Sequence, residues 1–202
     1  MKIAKTGYWD EPLTVGHGVD EKLAEAISVL LHEENCHTVL DIGCGNGFYV
    51  KYLNERGIFA EGVDGNPNTK ELGHGFYTFD LSKPLKFRQL KNWVLSLEVG
   101  EHIPAEFEDT FISNLIETAQ YGIILSWAVE GQGGDGHVNC RNNDYIREKL
   151  SDYGFDTYEV AENYLRNNCS PYPKVGWWFR NTIMVFRTNL KDYYKKRNED
   201  AI

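Results

Sequence analysis

Four residues in the middle of the chain carry the groups best suited to chemistry. Glu98, Glu101 and His102 lie in the run Leu97-Glu98-Val99-Gly100-Glu101-His102-Ile103-Pro104, and His137 lies in the later run Gly133-Gly134-Asp135-Gly136-His137-Val138-Asn139. If Glu98 to His102 forms a helical turn, spacings of three and four put both carboxylates and the imidazole on one face. Such a gathering is unfavourable without a positive partner, and a divalent cation is the obvious one. Two other readings stand beside it. His102 or His137 can serve as a general base near neutral pH, with Glu101 the third catalytic candidate. Alternatively, Glu101 and His102 begin a helix that Pro104 continues, the acids resting near its positive end.

A second set of groups surrounds a glycine turn. Val39-Leu40-Asp41-Ile42-Gly43-Cys44-Gly45-Asn46-Gly47 reads as a buried strand that turns through three glycines into a helix, the way an α/β protein opens a crevice for a nucleotide-like ligand. A dinucleotide fingerprint needs G-x-G-x-x-G; here Phe48 occupies the third glycine position. Asp64 ends the next strand, 21 residues after Gly43, where a carboxylate accepts from both ribose hydroxyls. Asp80, in Phe79-Asp80-Leu81, is placed to accept from an adenine amino group, and Asp41 to meet a ligand ammonium. Three acids without a phosphate-reading Lys or Arg suit a ligand with adenosine at one end and a cationic amino acid at the other. Taken singly, each acid can equally be a helix cap or a solvated strand end.

At this point the sequence resembles the class I S-adenosylmethionine-dependent methyltransferases. The matching pieces are Leu40 to Gly47, Gly62-Val63-Asp64-Gly65-Asn66-Pro67, Phe79-Asp80-Leu81 and Ser96-Leu97-Glu98, in the family's order over roughly residues 36 to 130. The resemblance implies a three-layer α/β, Rossmann-like fold: a mostly parallel seven-stranded sheet with helices on both faces, the last strand antiparallel and inserted near the edge. It also implies S-adenosylmethionine as cofactor, with Asp41, Gly43, Cys44, Gly45, Asn46, Asp64, Gly65, Asn66, Asp80, Leu81 and Leu97 around it. The pattern E-x-x-E-H with a later His resembles the metal-dependent oxygen methyltransferases of ubiquinone synthesis and of small-RNA 3′-end methylation. Carried over, the ligands of a Mg²⁺ or Mn²⁺ ion would be Glu98, Glu101, His102 and His137.

The acceptor signal lies further on. Gln132, Asp135, Asn139, Arg141 and Asn142, with Trp127 before them, combine hydrogen-bonding groups with an aromatic surface, and Tyr164, Tyr172, Trp177, Trp178 and Phe179 add further rings. Polar groups beside aromatic platforms suit a sugar; the alternative is a solvated loop over a core of tryptophans. The stretch Gly133 to Asn143 resembles methyltransferase domains attached to glycan-assembly proteins, among them multidomain glycosyltransferase–methyltransferases of large algal viruses. That likeness implies O-methylation of a deoxyhexose such as rhamnose on a glycan, in host cytoplasm, by a domain of a longer chain. Other acceptors consistent with the pattern are a ribose 2′-hydroxyl of RNA and a phenolic small molecule. An inactive cofactor-binding partner subunit is the non-enzymatic alternative.

The elements that must position these groups follow a β-α-β rhythm, implying a parallel sheet covered on both faces. A helix is expected over Asp20 to His32, capped by Asp20, and further helices over Phe48–Glu55, Pro104 to Thr118 and Asn143–Ser151. Strands are expected at Thr38–Ile42, Phe59–Asp64, Phe76–Phe79, Trp93–Leu97, Tyr121–Ala128, Thr157–Val160 and Thr182–Arg187. Residues 1–190 form one expected domain, followed by a charged tail from Lys191 to Ile202. Of the 202 residues, 42% are hydrophobic and 25% charged, the balance of an ordinary globular protein. The net charge of −9 makes nucleic acid an unlikely partner because it opposes a phosphate backbone. The longest apolar run, Tyr121 to Val129, is too short to span a bilayer. The four cysteines show no CxxC pair and no zinc-ligand spacing, and the amino terminus lacks a signal-peptide core, so a reduced, cytoplasmic setting is expected.

Overall fold

The computed structural model describes residues 2–13, 18–86, 89–172 and 174–189. The tail expected from Lys191 onward lies outside the described residues. Seven strands, β1 (Thr38–Ile42), β2 (Phe59–Asp64), β3 (Phe76–Thr78), β4 (Lys91–Leu97), β5 (Ala119–Ser126), β6 (Phe155–Thr157) and β7 (Ile183–Thr188), form one sheet in the order β3-β2-β1-β4-β5-β7-β6. β1 to β5 pair in parallel, and β7 alone runs against its neighbours β5 and β6. The strand order reverses beside β1, which pairs with β2 on one side and β4 on the other. In an open α/β sheet that switch point is where a ligand crevice forms, at the carboxyl ends of the strands.

Among the described residues, six helices cover the sheet: α1 (Glu21–Glu33), α2 (Phe48–Glu55), α3 (Glu108–Thr118), α4 (Asn143–Ser151), α5 (Glu159–Asn168) and the short α6 (Phe179–Thr182). Successive strand residues point to opposite faces, and both faces are apolar. Val39, Trp93, Leu95, Ile124 and Val185 pack with α1, α2 and α5, while Leu40, Val94, Ile123, Leu125 and Phe186 pack with α3 and α4. α1 begins where Asp20 accepts hydrogen bonds from the Lys22 and Leu23 amides, and its Leu23-Ile27-Leu30-Leu31 stripe is buried. No helix among the described residues is long and apolar enough to cross a membrane.

Two expected elements shift. Pro104 does not enter a helix: its ψ of 142° is extended, a 3₁₀ turn follows at Ala105–Phe107, and α3 starts only at Glu108. The run Thr157–Val160 is not a strand. Thr157 ends β6, and Glu159 and Val160 open α5, whose Ala161 and Leu165 face the core while Val160 is exposed. A four-residue alternation there straddles two elements, and the acids Glu159 and Glu162 in the first turn favour the helix.

Candidate functional site

A cavity of about 380 Å³ opens at the carboxyl ends of β1, β2 and β4. Its first half is made largely of backbone. Gly43, Gly45 and Gly47 all have left-handed φ (+87°, +51° and +74°), so the chain leaves β1 without side chains in the crevice. A Cβ on Gly43 would lie 2.3 Å from the Val99 side chain. Asp64, at the end of β2, accepts from the Gly45 amide (2.9 Å) through one oxygen and from the Asn66 amide (2.8 Å) through the other. Each oxygen retains accepting capacity toward the cavity that Asp64 lines together with Gly43, Gly45, Gly65, Leu81 and Leu97.

Of the remaining residues expected around a cofactor, Asn66 lines the cavity too, and the others are not on its lining. Asp41 is buried; that burial, and then the charge of Asp64, push its carboxyl up to about 8. Cys44 is buried with its sulfur packed on Gly62. The Asn46 side chain accepts from the Phe48 amide at the start of α2, and the Asn66 side chain donates to the Glu11 carbonyl and accepts from the Asn68 amide. Asp80 turns away from the cavity: it accepts from the Ser82 amide and hydroxyl and pairs with Lys83 at 3.7 Å. Its neighbour Leu81 is on the cavity wall.

The second half of the cavity is made of side chains. Glu98 and His102 do not share a helical turn. Glu98 has φ +55°, a left-handed backbone rare for a residue with a side chain, and only Gly100–His102 forms a 3₁₀ turn. The groups converge nonetheless. Glu101, His102 and His137 each offer a ligand atom within 4.8 Å of the others, and Glu98 stands beside that triad rather than in it. The Glu98 carboxylate accepts from Thr182 Oγ1 and Gln132 Nε2, both at 3.3 Å, and burial pushes it up to about 7. Glu101 is fully buried, and neither of its oxygens has a hydrogen-bond partner among the described residues. Burial, then the Glu98 charge, hold it well above the usual carboxylate range. Its nearest cationic candidate is His137 Nε2, at 4.0 Å.

Both imidazoles are oriented by carbonyl oxygens. His102 Nδ1 lies 3.2 Å from the Gly136 carbonyl, and His137 Nδ1 lies 3.3 Å from that of Gln132. In a neutral ring the nitrogen that faces a carbonyl carries the proton, and the tautomer so favoured presents Nε2 as the ligand atom. Two such imidazoles beside a buried, unpartnered carboxylate are a donor set that fits a divalent cation, and imidazole with carboxylate favours Mn²⁺ over Mg²⁺.

Most of the expected acceptor residues serve the scaffold instead. Trp127 is fully buried against Phe111, with its indole N–H donating to the Asn139 carbonyl at 2.6 Å, so it cannot touch a ligand. Asn139 and Arg141 both donate to Glu108, at 3.0 and 2.7 Å, and Asn142 bonds the backbone and side chain of Glu130. Gln132 acts through Glu98 and His137, as above. Asp135 alone of this set lines the cavity, joined there by Trp178 and Phe179. Sequence reasoning missed Thr6, Gly7, Tyr8, Trp9 and Tyr49, which also line it. Tyr49 sits on the face of α2 toward the turn, but no periodicity marks residues 2–13.

No family model and no curated protein matches the chain. Solved structures do. The sugar N-methyltransferase KedS8 from Streptoalloteichus sp. ATCC 53650 superposes with a TM-score of 0.63 at 13% identity, over 93% of this chain and 98% of that one. The fold is that of the class I methyltransferases. The methyltransferase domain of bacterial CtHen1 matches with a TM-score of 0.58 at 17% identity, over 83% and 98% of the two chains. Magnesium protoporphyrin IX methyltransferase (ChlM) from Synechocystis PCC 6803, with bound S-adenosylhomocysteine, matches with 0.57 at 20% identity over 82% of each.

Proposed function

We propose that this chain transfers the methyl group of S-adenosylmethionine to a sugar hydroxyl, with Glu101, His102 and His137 holding a divalent cation and Glu98 beside them. The observation that carries the reading is the buried, unpartnered Glu101 carboxylate facing two oriented imidazoles, at the far end of a cavity whose other end is a glycine turn and Asp64. Asp64 keeps oxygen capacity for ribose hydroxyls, and Gly43 and Gly45 let the ligand approach the backbone. Asp41, behind the turn, gains its charge when a cationic ammonium approaches.

The transfer itself is an in-line displacement. An oxygen lone pair forms the new bond to the methyl carbon while the carbon–sulfur bond breaks, its electron pair returning to sulfur to leave S-adenosylhomocysteine. A bound cation supplies Lewis acidity that lowers the pKa of the acceptor hydroxyl. The proton passes to Glu98, which lines the same cavity as His102 and His137. Gln132 and Thr182 hold that carboxylate in place. Positive sulfonium and negative oxygen cancel as they react, so a dry site favours the step.

KedS8 acts on a sugar and lends support to that acceptor class, although it methylates nitrogen. The likeness of Gly133 to Asn143 to domains of glycan-assembly proteins points to a deoxyhexose such as rhamnose. An RNA ribose is disfavoured by the net charge of −9. A second reading has His102 or His137 as general base and no cation, and draws on the same two oriented imidazoles. Methyl transfer from labelled S-adenosylmethionine to rhamnosides, to RNA and to catechols, each in EDTA and in Mn²⁺, separates these readings. Transfer to the sugar that EDTA abolishes and Mn²⁺ restores is expected. Full activity in EDTA removes the cation, and transfer to RNA or catechol alone removes the sugar.

A further inference from the structure

The amino-terminal segment belongs to no sheet or helix, yet it is held in one shape. Ala4 donates to the Tyr8 carbonyl, Gly7 to that of Ala4 and Asp10 to that of Lys2, and Ile3 bridges Trp9 in antiparallel fashion. This small hairpin lies directly on the cavity. A Cβ on Gly7, whose φ is +98°, would fall 2.2 Å from the His102 carbonyl oxygen. A Cβ on Gly65 would fall 2.4 Å from Tyr8 Cβ, and one on Gly136 2.6 Å from Ile3 Cδ1. Asn66 anchors the far end by donating to the Glu11 carbonyl at 2.8 Å. The Trp9 ring meets the His102 ring edge to face at 5.3 Å. Three glycines, one on the hairpin and two beneath it, thus permit an approach that any larger residue would block.

We propose that Tyr8 is a cofactor-binding residue. It supplies the cavity wall over Gly65, next to Asp64, so a bound cofactor can leave only when the hairpin lifts from Gly65. The assignment rests on the cofactor reading above. Tyr8 lines the cavity, and the nearest atoms to a Cβ on Gly65 are all in its side chain. The seal is built for opening. The ion pair of Lys2 with Asp10 that helps close the hairpin is exposed, and such pairs contribute little to stability. Trp9, next in sequence, places the same hairpin against His102, so one segment reaches both ends of the cavity.

Stopped-flow dissociation of S-adenosylhomocysteine from the full chain tests this without any knowledge of the acceptor. Tyr8→Gly is expected to speed dissociation about tenfold, from lost aromatic contact, and Tyr8→Phe to stay within about twofold of the parent because the ring is what packs. Gly65→Ala, which keeps every residue of the hairpin but wedges it from below, is expected to speed dissociation as well. In the Tyr8→Gly background the same alanine has nothing to collide with, and its effect disappears. Unchanged dissociation in Tyr8→Gly overturns the proposal. So does a Gly65→Ala effect that persists in the double variant, because the alanine then meets the cofactor itself. A parent chain that fails to bind S-adenosylhomocysteine overturns the cofactor reading, a distinct result.

Discussion

At the Asp64 end of the cavity, the floor a ligand would meet is backbone: a glycine turn between β1 and α2, with one carboxylate fixed by two amides and the Tyr8 side chain over Gly65. At the Glu101 end it is side chain, brought from the segment after β4, from the loop after β5 and from the end of α6. The first end is rigid before any ligand arrives, since its donors and acceptors already bond one another. The second carries uncompensated burial, with Glu101 unpartnered and Glu98 crowded beside it. A site that binds one ligand and transfers a group to another needs both kinds of construction. One holds a constant molecule by shape; the other keeps reactive groups poised at a cost in stability.

The sharpest way to break this contrast is at Glu101. Glu101→Gln is expected to lower methyl transfer at least about a hundredfold while leaving the affinity for S-adenosylhomocysteine within about twofold, read by paired turnover and calorimetry. Loss of both together would mean the two ends are not separable. Asp64→Ala should do the converse and weaken S-adenosylhomocysteine about thirtyfold, the worth of hydrogen bonds to a charged group; unchanged affinity removes the ribose role.

Smaller effects test the scaffold behind each end. Trp127→Phe leaves the Asn139 carbonyl without its indole donor and should cost about 1–2 kcal/mol in denaturant unfolding, with no change in acceptor KM. A KM effect without a stability effect would return Trp127 to the site. At the other end, the Asp41 carboxyl holds its proton up to about pH 8 in the folded chain but only to 3.8 as an ordinary carboxyl. Between those values the folded state binds the extra proton. Its contribution to stability is therefore complete below about pH 4 and is lost as pH rises through about 8. The ligand-free chain should show a Tm lower by about 10 °C at pH 8 than at pH 5 from this group, and Asp41→Asn should flatten that dependence.

The same contrast explains what the sequence revealed. The glycine turn and Asp64 lie within one β-α-β unit, where local geometry dictates spatial proximity, so their spacing was informative. Glu101, His102 and His137 were also legible as a set, but the helical turn expected to join Glu98 to them is absent because Glu98 takes a left-handed backbone. Asp80 is taken up locally by Ser82 and Lys83, partners that its place at a strand end did not announce. The polar run after β5 looked like an acceptor surface, yet Glu108, on a helix more than thirty residues earlier, takes Asn139 and Arg141 as partners. Such long-range pairing leaves no periodic trace. Nor does the hairpin at residues 2–10, whose own Gly7 and two glycines distant in the chain, Gly65 and Gly136, allow its close approach.

Calorimetric titration of Mn²⁺ into the parent chain and into Glu101→Gln, with S-adenosylhomocysteine titrated into each as a control, tests the central claim most directly. The two-ended site predicts saturable Mn²⁺ binding to the parent, weakened at least about tenfold in the variant, with the control isotherms unchanged. No Mn²⁺ binding to the parent, or equal binding to both chains, contradicts it.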